Sequence, residues 1–318
     1  MELLLSLLLL TFFLTMWYRS KSTDDPPGPP RVPLLGCIPF LTLKRGVVDW
    51  VLDKCVLQHK ICTVEVFNTT KIFVVNDFDL CKEIFAKEEF SGRPVNKVAL
   101  LHRFYQKKAQ GIIFTENKKW SVQRRFSLKT LKDFGFGKQS LEEAMNLEIE
   151  CLIEQLKQHE EDYQMTTDFN IPIINILWQL AASTRFTEED YEGIELVEKV
   201  NYLFSKGLRN AVLPMWVNKM FPNITGYRER INVFDAQKDY IMNIIEEHKK
   251  ILDIHNPRDF IDVYLIEMEN QESSEVEFSE EELGSILLDF FHAGTETSST
   301  TLKWIILYLC LHQDVQDK

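Results

Sequence analysis

Apolar residues recur at helical spacing along most of this 318-residue chain, and at strand spacing only near its start. The clearest run lies late in the chain. Leu283, Ile286, Leu287, Phe290, Phe291, Gly294, Thr297, Thr301 and Ile305 keep a period near 3.6, which predicts a long helix with one buried face. Ser279 and Glu282 form a Ser-x-x-Glu capping box at its start, with Phe278 and Leu283 at the staple positions. Ile149, Leu152, Ile153 and Leu156 repeat the helical spacing, as do Val233 to Leu252 and Phe260 to Met268. Thr63 to Phe67 and Lys71 to Val75 are β-rich runs separated by Asn68-Thr69-Thr70, a predicted hairpin. Short helices are predicted for Val47 to Gln58 and from Asp77 through Phe85, and an acidic surface loop for Glu269 to Glu277. The fold class is mainly α, with a small β-sheet near the N-terminus.

The first residues follow another pattern. Leu3 to Leu14 is almost wholly Leu and Phe, and Met16, Trp17 and Tyr18 extend it to an aromatic end. A span needs roughly 17–20 apolar residues, so Met1 to Tyr18 is just sufficient. Glu2 precedes the run, Arg19 and Lys21 follow it, and no Ala-x-Ala cleavage site is present. This predicts an uncleaved anchor with the following chain cytosolic. Five prolines between Pro26 and Pro33 forbid helix and sheet and favour a stiff, extended spacer. The expected organisation is an anchor over 1–21, a proline-rich hinge over 22–36 and one domain over 37–318.

Composition narrows the function classes. A formal net charge of −12 excludes a broadly basic surface that coats nucleic acid. The six cysteines contain no Cys-x-x-Cys pair, and Cys55, Cys81 and Cys151 sit in apolar-periodic contexts that predict buried free thiols in a reduced setting. The seven histidines show no His-x-x-x-His spacing, so no protein-built zinc site is expected.

Chemistry concentrates in the middle of the late helix. Thr297 beside Glu296 on an apolar face is costly unless both have partners, and Gly294 costs roughly 1 kcal/mol of helix stability relative to Ala. Ala293-Gly294-Thr295-Glu296-Thr297-Ser298 resembles the oxygen-activating signature of cytochromes P450, [AG]-G-x-[DE]-T-[TS]. The resemblance implies an oxygen-binding groove at Ala293 and Gly294, with Thr297 and Glu296 delivering protons. Trp120 and Arg124 lie at i and i+4, two donors on one helix face suited to an anion. The family's Trp-x-x-x-Arg holds a haem propionate, and Phe90-Ser91-Gly92-Arg93-Pro94 resembles a turn whose Arg does the same. The implied cofactor is haem b, with electrons from NADPH through a reductase.

Further parts of the chain are similar to the same family. Pro26-Pro27-Gly28-Pro29-Pro30 resembles the hinge of microsomal P450s, which implies the endoplasmic reticulum membrane. Phe260 to Met268 and Asn170 to Asn175 resemble family 2, subfamily J, whose members oxidise polyunsaturated fatty acids and drugs. The resemblance brings Ile112, Ile113, Phe114, Leu203, Phe204, Phe290 and Phe291 towards a pocket for a lipophilic substrate. His292 either faces that pocket or caps a neighbouring carbonyl. Lys118, Lys119, Arg125, Lys129 and Lys132 form a basic neighbourhood that is either a solvated helix face or, as the resemblance implies, the face that docks cytochrome P450 reductase or cytochrome b5.

The chain also departs from the family pattern. The family's iron ligand is a Cys in a Phe-x-x-Gly-x-x-x-Cys-x-Gly loop, and none of the six cysteines has that context. No Arg has a Glu three residues earlier, so the Glu-x-x-Arg pair is missing too. Both features lie C-terminal to the oxygen-activating helix in the family. The expectation is therefore a P450 fold without its C-terminal part, belonging either to a haem-thiolate monooxygenase or to a non-catalytic, membrane-tethered short isoform that competes for partners.

Overall fold

The structure is a computed structural model that describes residues 7, 9–13, 15, 25–32, 35–37, 59–66, 70–93, 109–158, 169–187, 189–205, 213, 215–270 and 276–318. Side chains at 66, 70, 140 and 203–205 fall outside the description. Two compact units emerge, Met1–Ser91 and Gly92–Lys318.

In the first unit, β1 (Ile61–Val66) pairs antiparallel with β2 (Thr70–Val75) in the register Cys62↔Val74 and Val64↔Ile72. The proline-rich run is packed against β1 instead of standing off as a spacer. Thr63 N donates to Pro27 O at 2.9 Å and Cys37 N to Glu65 O at 2.7 Å. A Cβ on Gly28 would lie 2.0 Å from Thr63 O, so only glycine allows this approach. Arg31 joins Asp25 at 3.1 Å to Glu65 at 2.7 Å, and Lys71 adds a second cation on Asp25 at 2.8 Å. That packing explains why both Val64 and its strand neighbour Glu65 are buried. Helix α1 (Phe78–Ala86) starts at Asp77, whose carboxylate accepts from Leu80 N at 3.0 Å.

The predicted helix at Val47 to Gln58 lies outside the described residues. Of the predicted anchor, residues 7, 9–13 and 15 are described, and they are helical and exposed. Among the described residues no helix is long and apolar enough to cross a membrane.

The second unit is helical. It comprises α2 (Asn117–Asp133), α3 (Gln139–Lys157), α4 (Asn170–Ala182), α5 (Tyr191–Ser205), α6 (Met215–Met220), α7 (Tyr227–Lys250), α8 (Phe260–Glu269), α9 (Glu280–Leu311) and α10 (Gln313–Gln316). Helix α9 runs 32 residues, about 48 Å at 1.5 Å per residue, and is the axis of the unit. α4 packs along it, α3 covers α4, and α7 lies on α9 with α5 and α8 beside it. α4 is mostly apolar, as a largely interior helix must be, with Gln179 its exposed position, and its Pro172 stands in the first turn where no N–H is missed. Trp178 of α4 meets Phe291 of α9 edge-on at 5.5 Å, and Ile174, Ile241, Ile245, Tyr264, Ile286 and Leu287 complete the core.

The buried face of α9 does not follow the predicted stripe to its end. Leu283, Ile286, Leu287 and Phe291 are buried, whereas Thr297, Thr301 and Ile305 are exposed. Beyond Phe291 the buried positions become Thr295 and Ser299. Their hydroxyls donate to Phe291 O at 2.6 Å and Glu296 O at 3.2 Å, which removes the penalty of burying them. The capping box is half formed, because Ser279 Oγ accepts from Glu282 N at 3.3 Å while the Glu282 carboxylate turns elsewhere. Val276 and Phe278 are buried, so the end of the predicted surface loop faces inward. Cys81 and Cys151 are half-buried, not buried as predicted, and Cys55 lies outside the described residues.

Candidate functional site

The exposed face of α9 carries Ala293 and Thr297, with half-buried Phe290 one turn before. Thr297 Oγ1 donates to Ala293 O at 2.7 Å, the i−4 bond that bends helices at such positions. Glu296 is half-buried one step round the helix, and its Oε1 accepts from Thr300 Oγ1 at 3.3 Å. Gly294 points the other way. A Cβ there would lie 2.6 Å from Leu177 Cδ2, so the glycine lets α4 approach α9 directly behind Ala293 and Thr297. Phe291 also faces that core, against Trp178 and Phe186, and Phe290 sits 5.3 Å from the Phe260 ring.

A polar stripe on α9 holds a loop that carries three predicted pocket residues. Asp289, 3% exposed, accepts from Ile112 N at 2.6 Å and Ile113 N at 2.9 Å. One turn back, Ser285 Oγ donates to Gln110 Oε1 at 3.2 Å. Glu282 accepts from Gly111 N at 2.9 Å. Ile112 and Phe114 are thereby held half-buried and Ile113 exposed. Sequence reasoning missed this clamp. Its signal was present, since Glu282, Ser285 and Asp289 at i, i+3 and i+7 form a polar row in an otherwise apolar half-helix.

Lys119 belongs to the same clamp. Its ammonium lies 2.5 Å from Glu282 Oε2 and donates to Ala109 O at 3.2 Å. Lys118, Arg125, Lys129 and Lys132 are exposed on α2. Lys118, Arg125 and Lys129 rim a cleft of about 510 Å³ floored by Val122, Phe126, Val276 and Phe278. Trp120 is half-buried on the same helix, and the exposed Arg124 guanidinium lies 5.4 Å from its ring centroid, as the i, i+4 spacing requires. Arg93 is exposed, and its backbone N–H donates to Glu116 Oε2 at 3.2 Å. Leu203 and Phe204 are helical within α5, with side chains outside the description.

His292 is half-buried and meets a side-chain carbonyl, that of the Gln237 carboxamide. Its Nε2 lies 2.8 Å from Gln237 Oε1 on α7, and its ring meets Phe234 at 5.9 Å.

Residues 26–318 match the protein family described as Cytochrome P450. The chain belongs to the cytochrome P450 family. It is 34% identical over 315 residues to cytochrome P450 2C16 of Oryctolagus cuniculus, covering 96% of this chain and 62% of that protein. It is 36% identical over 319 residues to cytochrome P450 2C1 of the same species, covering 95% and 62%. Cytochrome P450 2L1 of Panulirus argus is 31% identical over 310 residues, with 94% and 62% covered. The chain thus spans 62% of the length of these family 2 relatives.

Membership of the P450 family implies haem, and the residues fit part of that group's surroundings. The Trp120 indole N–H and the Arg124 guanidinium share one helix face and suit carboxylate groups, and the Ala293–Thr297 face leaves room beside a hydroxyl. An iron ligand is another matter. Cys310 follows Thr297 by thirteen positions on the same P450 helix, about 20 Å along its axis. Cys151 Sγ instead accepts from Arg185 Nη2 at 3.4 Å.

Proposed function

We propose that this chain supplies the oxygen side and the propionate-holding residues of a haem-thiolate monooxygenase that hydroxylates or epoxidises lipophilic substrates such as fatty acids or xenobiotics. The observation that carries the reading is the exposed α9 face, where Thr297 Oγ1 is held on the Ala293 carbonyl at 2.7 Å with Glu296 adjacent. Trp120, Arg124 and Arg93 would hold the haem propionates. Haem, when bound, supplies reductive activation of dioxygen. The protein's own task is to hold a proton at Thr297 Oγ1, renew it through Glu296, and align the substrate against Ala293. Ile112, Phe114 and Phe290 would line the substrate side.

Electrons would come from NADPH through cytochrome P450 reductase, with cytochrome b5 as a second donor, both docking on the exposed cations of α2. The anchor over 1–21 would place the domain at the cytosolic face of the endoplasmic reticulum. Subfamily J is our reading of the segments Phe260 to Met268 and Asn170 to Asn175. None of the six cysteines stands in the ligand-loop context, so we infer that these 318 residues by themselves do not oxidise substrate.

The test is Thr297→Ala in a haem-loaded protein carrying the ligand loop. Substrate should still bind, turnover should fall, and reducing equivalents should appear as peroxide. General acid assistance is worth about 10²–10⁴-fold. Unchanged turnover with unchanged coupling would overturn the assignment.

A further inference from the structure

The end of α9 carries an apolar stripe that the second unit leaves open. Trp304, Leu307, Tyr308 and Leu311 are spaced i, i+3, i+4 and i+7, so they share one helix face. They are 55%, 45%, 56% and 66% exposed. A single exposed apolar side chain is ordinary, but a contiguous stripe marks an interaction surface. The helix packed along α9 stops short of it. Leu177 of α4 faces Gly294 and Trp178 faces Phe291, so α4 runs antiparallel to α9. α4 begins at Asn170, which lies level with about Thr301. Residues 302–311 of α9 therefore overhang α4. The Trp304 and Tyr308 rings lie 6.0 Å apart and Tyr308 stacks on His312 at 6.2 Å, which holds the aromatic edge in place.

The stripe fits a copy of itself running the opposite way. A two-fold axis midway between Leu307 and Tyr308 sets Trp304 against Leu311 and Leu307 against Tyr308. Every contact then joins one ring to one leucine, whereas a parallel pair would set each ring on its own copy. Charge selects the same arrangement. The axis brings half-buried Lys303 opposite His312, two positions from exposed Asp314. A parallel pair would instead oppose Lys303 to Lys303 and Asp314 to Asp314. The four side chains offer roughly 400 Å² per copy, with aromatics counted at half of the about 150–250 Å² they can bury. Exposed Thr301, Leu302, Ile305 and Val315 flank them and extend this towards the about 600 Å² that small specific interfaces take from each partner.

We propose that two copies of this 318-residue chain associate antiparallel through the ends of α9, across this axis. The inference is independent of the substrate-oxidising reading. The small area sets the strength, a dissociation constant of about 1–100 μM.

Sedimentation of the full chain against protein concentration, in mild detergent with micelles in excess, tests the pairing. Wild type should pass from monomer to dimer over that range. Leu311→Glu and Trp304→Glu should each weaken the dimer by about tenfold or more, with the melting curve unchanged because both side chains are exposed. Lys303→Asp alone and Asp314→Lys alone should each weaken it by about threefold, and the two together should restore it to within about twofold. Joining of copies through exposed Cys310 by a short bismaleimide should follow the same order and vanish in Cys310→Ser. A monomer at every concentration overturns the pairing and leaves the stripe to a different protein. Stripe variants that alter only partition into phosphatidylcholine vesicles also overturn it and give the stripe to lipid. A double charge swap no tighter than either single change overturns the antiparallel pairing.

Discussion

Asp289 and Ile112 are joined by a 2.6 Å hydrogen bond across 177 positions of sequence, and the same carboxylate oxygen also accepts from Ile113 N. The α9 helix therefore fixes the loop ahead of α2 through backbone donors, whatever side chains that loop carries. Asp289→Ala would leave two N–H groups without their acceptor, at about 1–3 kcal/mol each where burial is complete and less where water reaches them. Hydrogen exchange should rise at Ile112 and Ile113 more than anywhere else in the second unit, with a lower melting temperature. Uniform exchange at that loop in wild type and variant would refute the clamp.

How much of this was legible in the sequence depends on whether the determinant was local. The start of α9, the Asp77 cap of α1 and the strand pair all rest on neighbours within a few residues, and each was readable. So was the Trp120–Arg124 face, because i, i+4 spacing sets it. Partners across the fold were not. Glu282 satisfies the capping-box pattern, yet Gly111 and Lys119 outcompete its own helix N-terminus. Thr297 continues the apolar period, but close packing of α4 through Gly294 turns the buried face towards Thr295 and Ser299. Proline content correctly ruled out helix over the described residues 26–32, but it argued against strand pairing as well and so gave no sign of the docking on β1.

Gly294 offers a test of that packing. Adding a methyl group gains roughly 1 kcal/mol of helix propensity but drives Leu177 Cδ2 out of a 2.6 Å contact, and overpacking typically costs about 1–3 kcal/mol. Gly294→Ala should therefore be neutral to mildly destabilising. In a Leu177→Ala background the same change should become stabilising, because its obstacle is gone. A double-mutant cycle by urea denaturation measures the coupling, and additivity within about 0.3 kcal/mol would show that Leu177 is not the obstacle.

His248, buried at the end of α7, places Nε2 2.9 Å from Asp259 Oδ2 and Nδ1 2.8 Å from Ile244 O. Both partners are acceptors, so the ring satisfies them only as imidazolium. Burial alone would lower its pKa, but the Asp259 carboxylate and the Ile244 carbonyl outweigh burial and the nearby Arg258 charge and raise it. Burial likewise pushes the Asp262 carboxyl up, and its Arg258 partner more than reverses this and keeps it low. A raised folded-state value means the folded chain holds this proton more tightly than the unfolded chain. The resulting stability is complete below the unfolded value of about 6.5 and is lost as pH rises through the folded value. Urea midpoints should fall on going above neutral pH, and His248→Gln should flatten that slope. A wild-type midpoint that climbs over the same range would contradict the charged pair.

The cations of α2 divide by what they touch, and that division is testable in a haem-loaded protein with reductase. Arg125 and Lys129 are exposed at the rim of the α2–α8 cleft, whereas Lys119 is held by Glu282. Exposed charge mainly governs encounter, so Arg125→Glu with Lys129→Glu should slow the bimolecular reduction step by about tenfold at low salt, and the difference should shrink as salt is added. Folding should be unaffected, because neither side chain is buried. Lys119→Met should act the other way round, lowering the melting temperature by leaving the Glu282 carboxylate, 1% exposed, without its cation. Stopped-flow reduction traces at two ionic strengths, set beside melting curves, separate the two effects. Slower reduction that ignores salt in the double variant would remove α2 from the docking face.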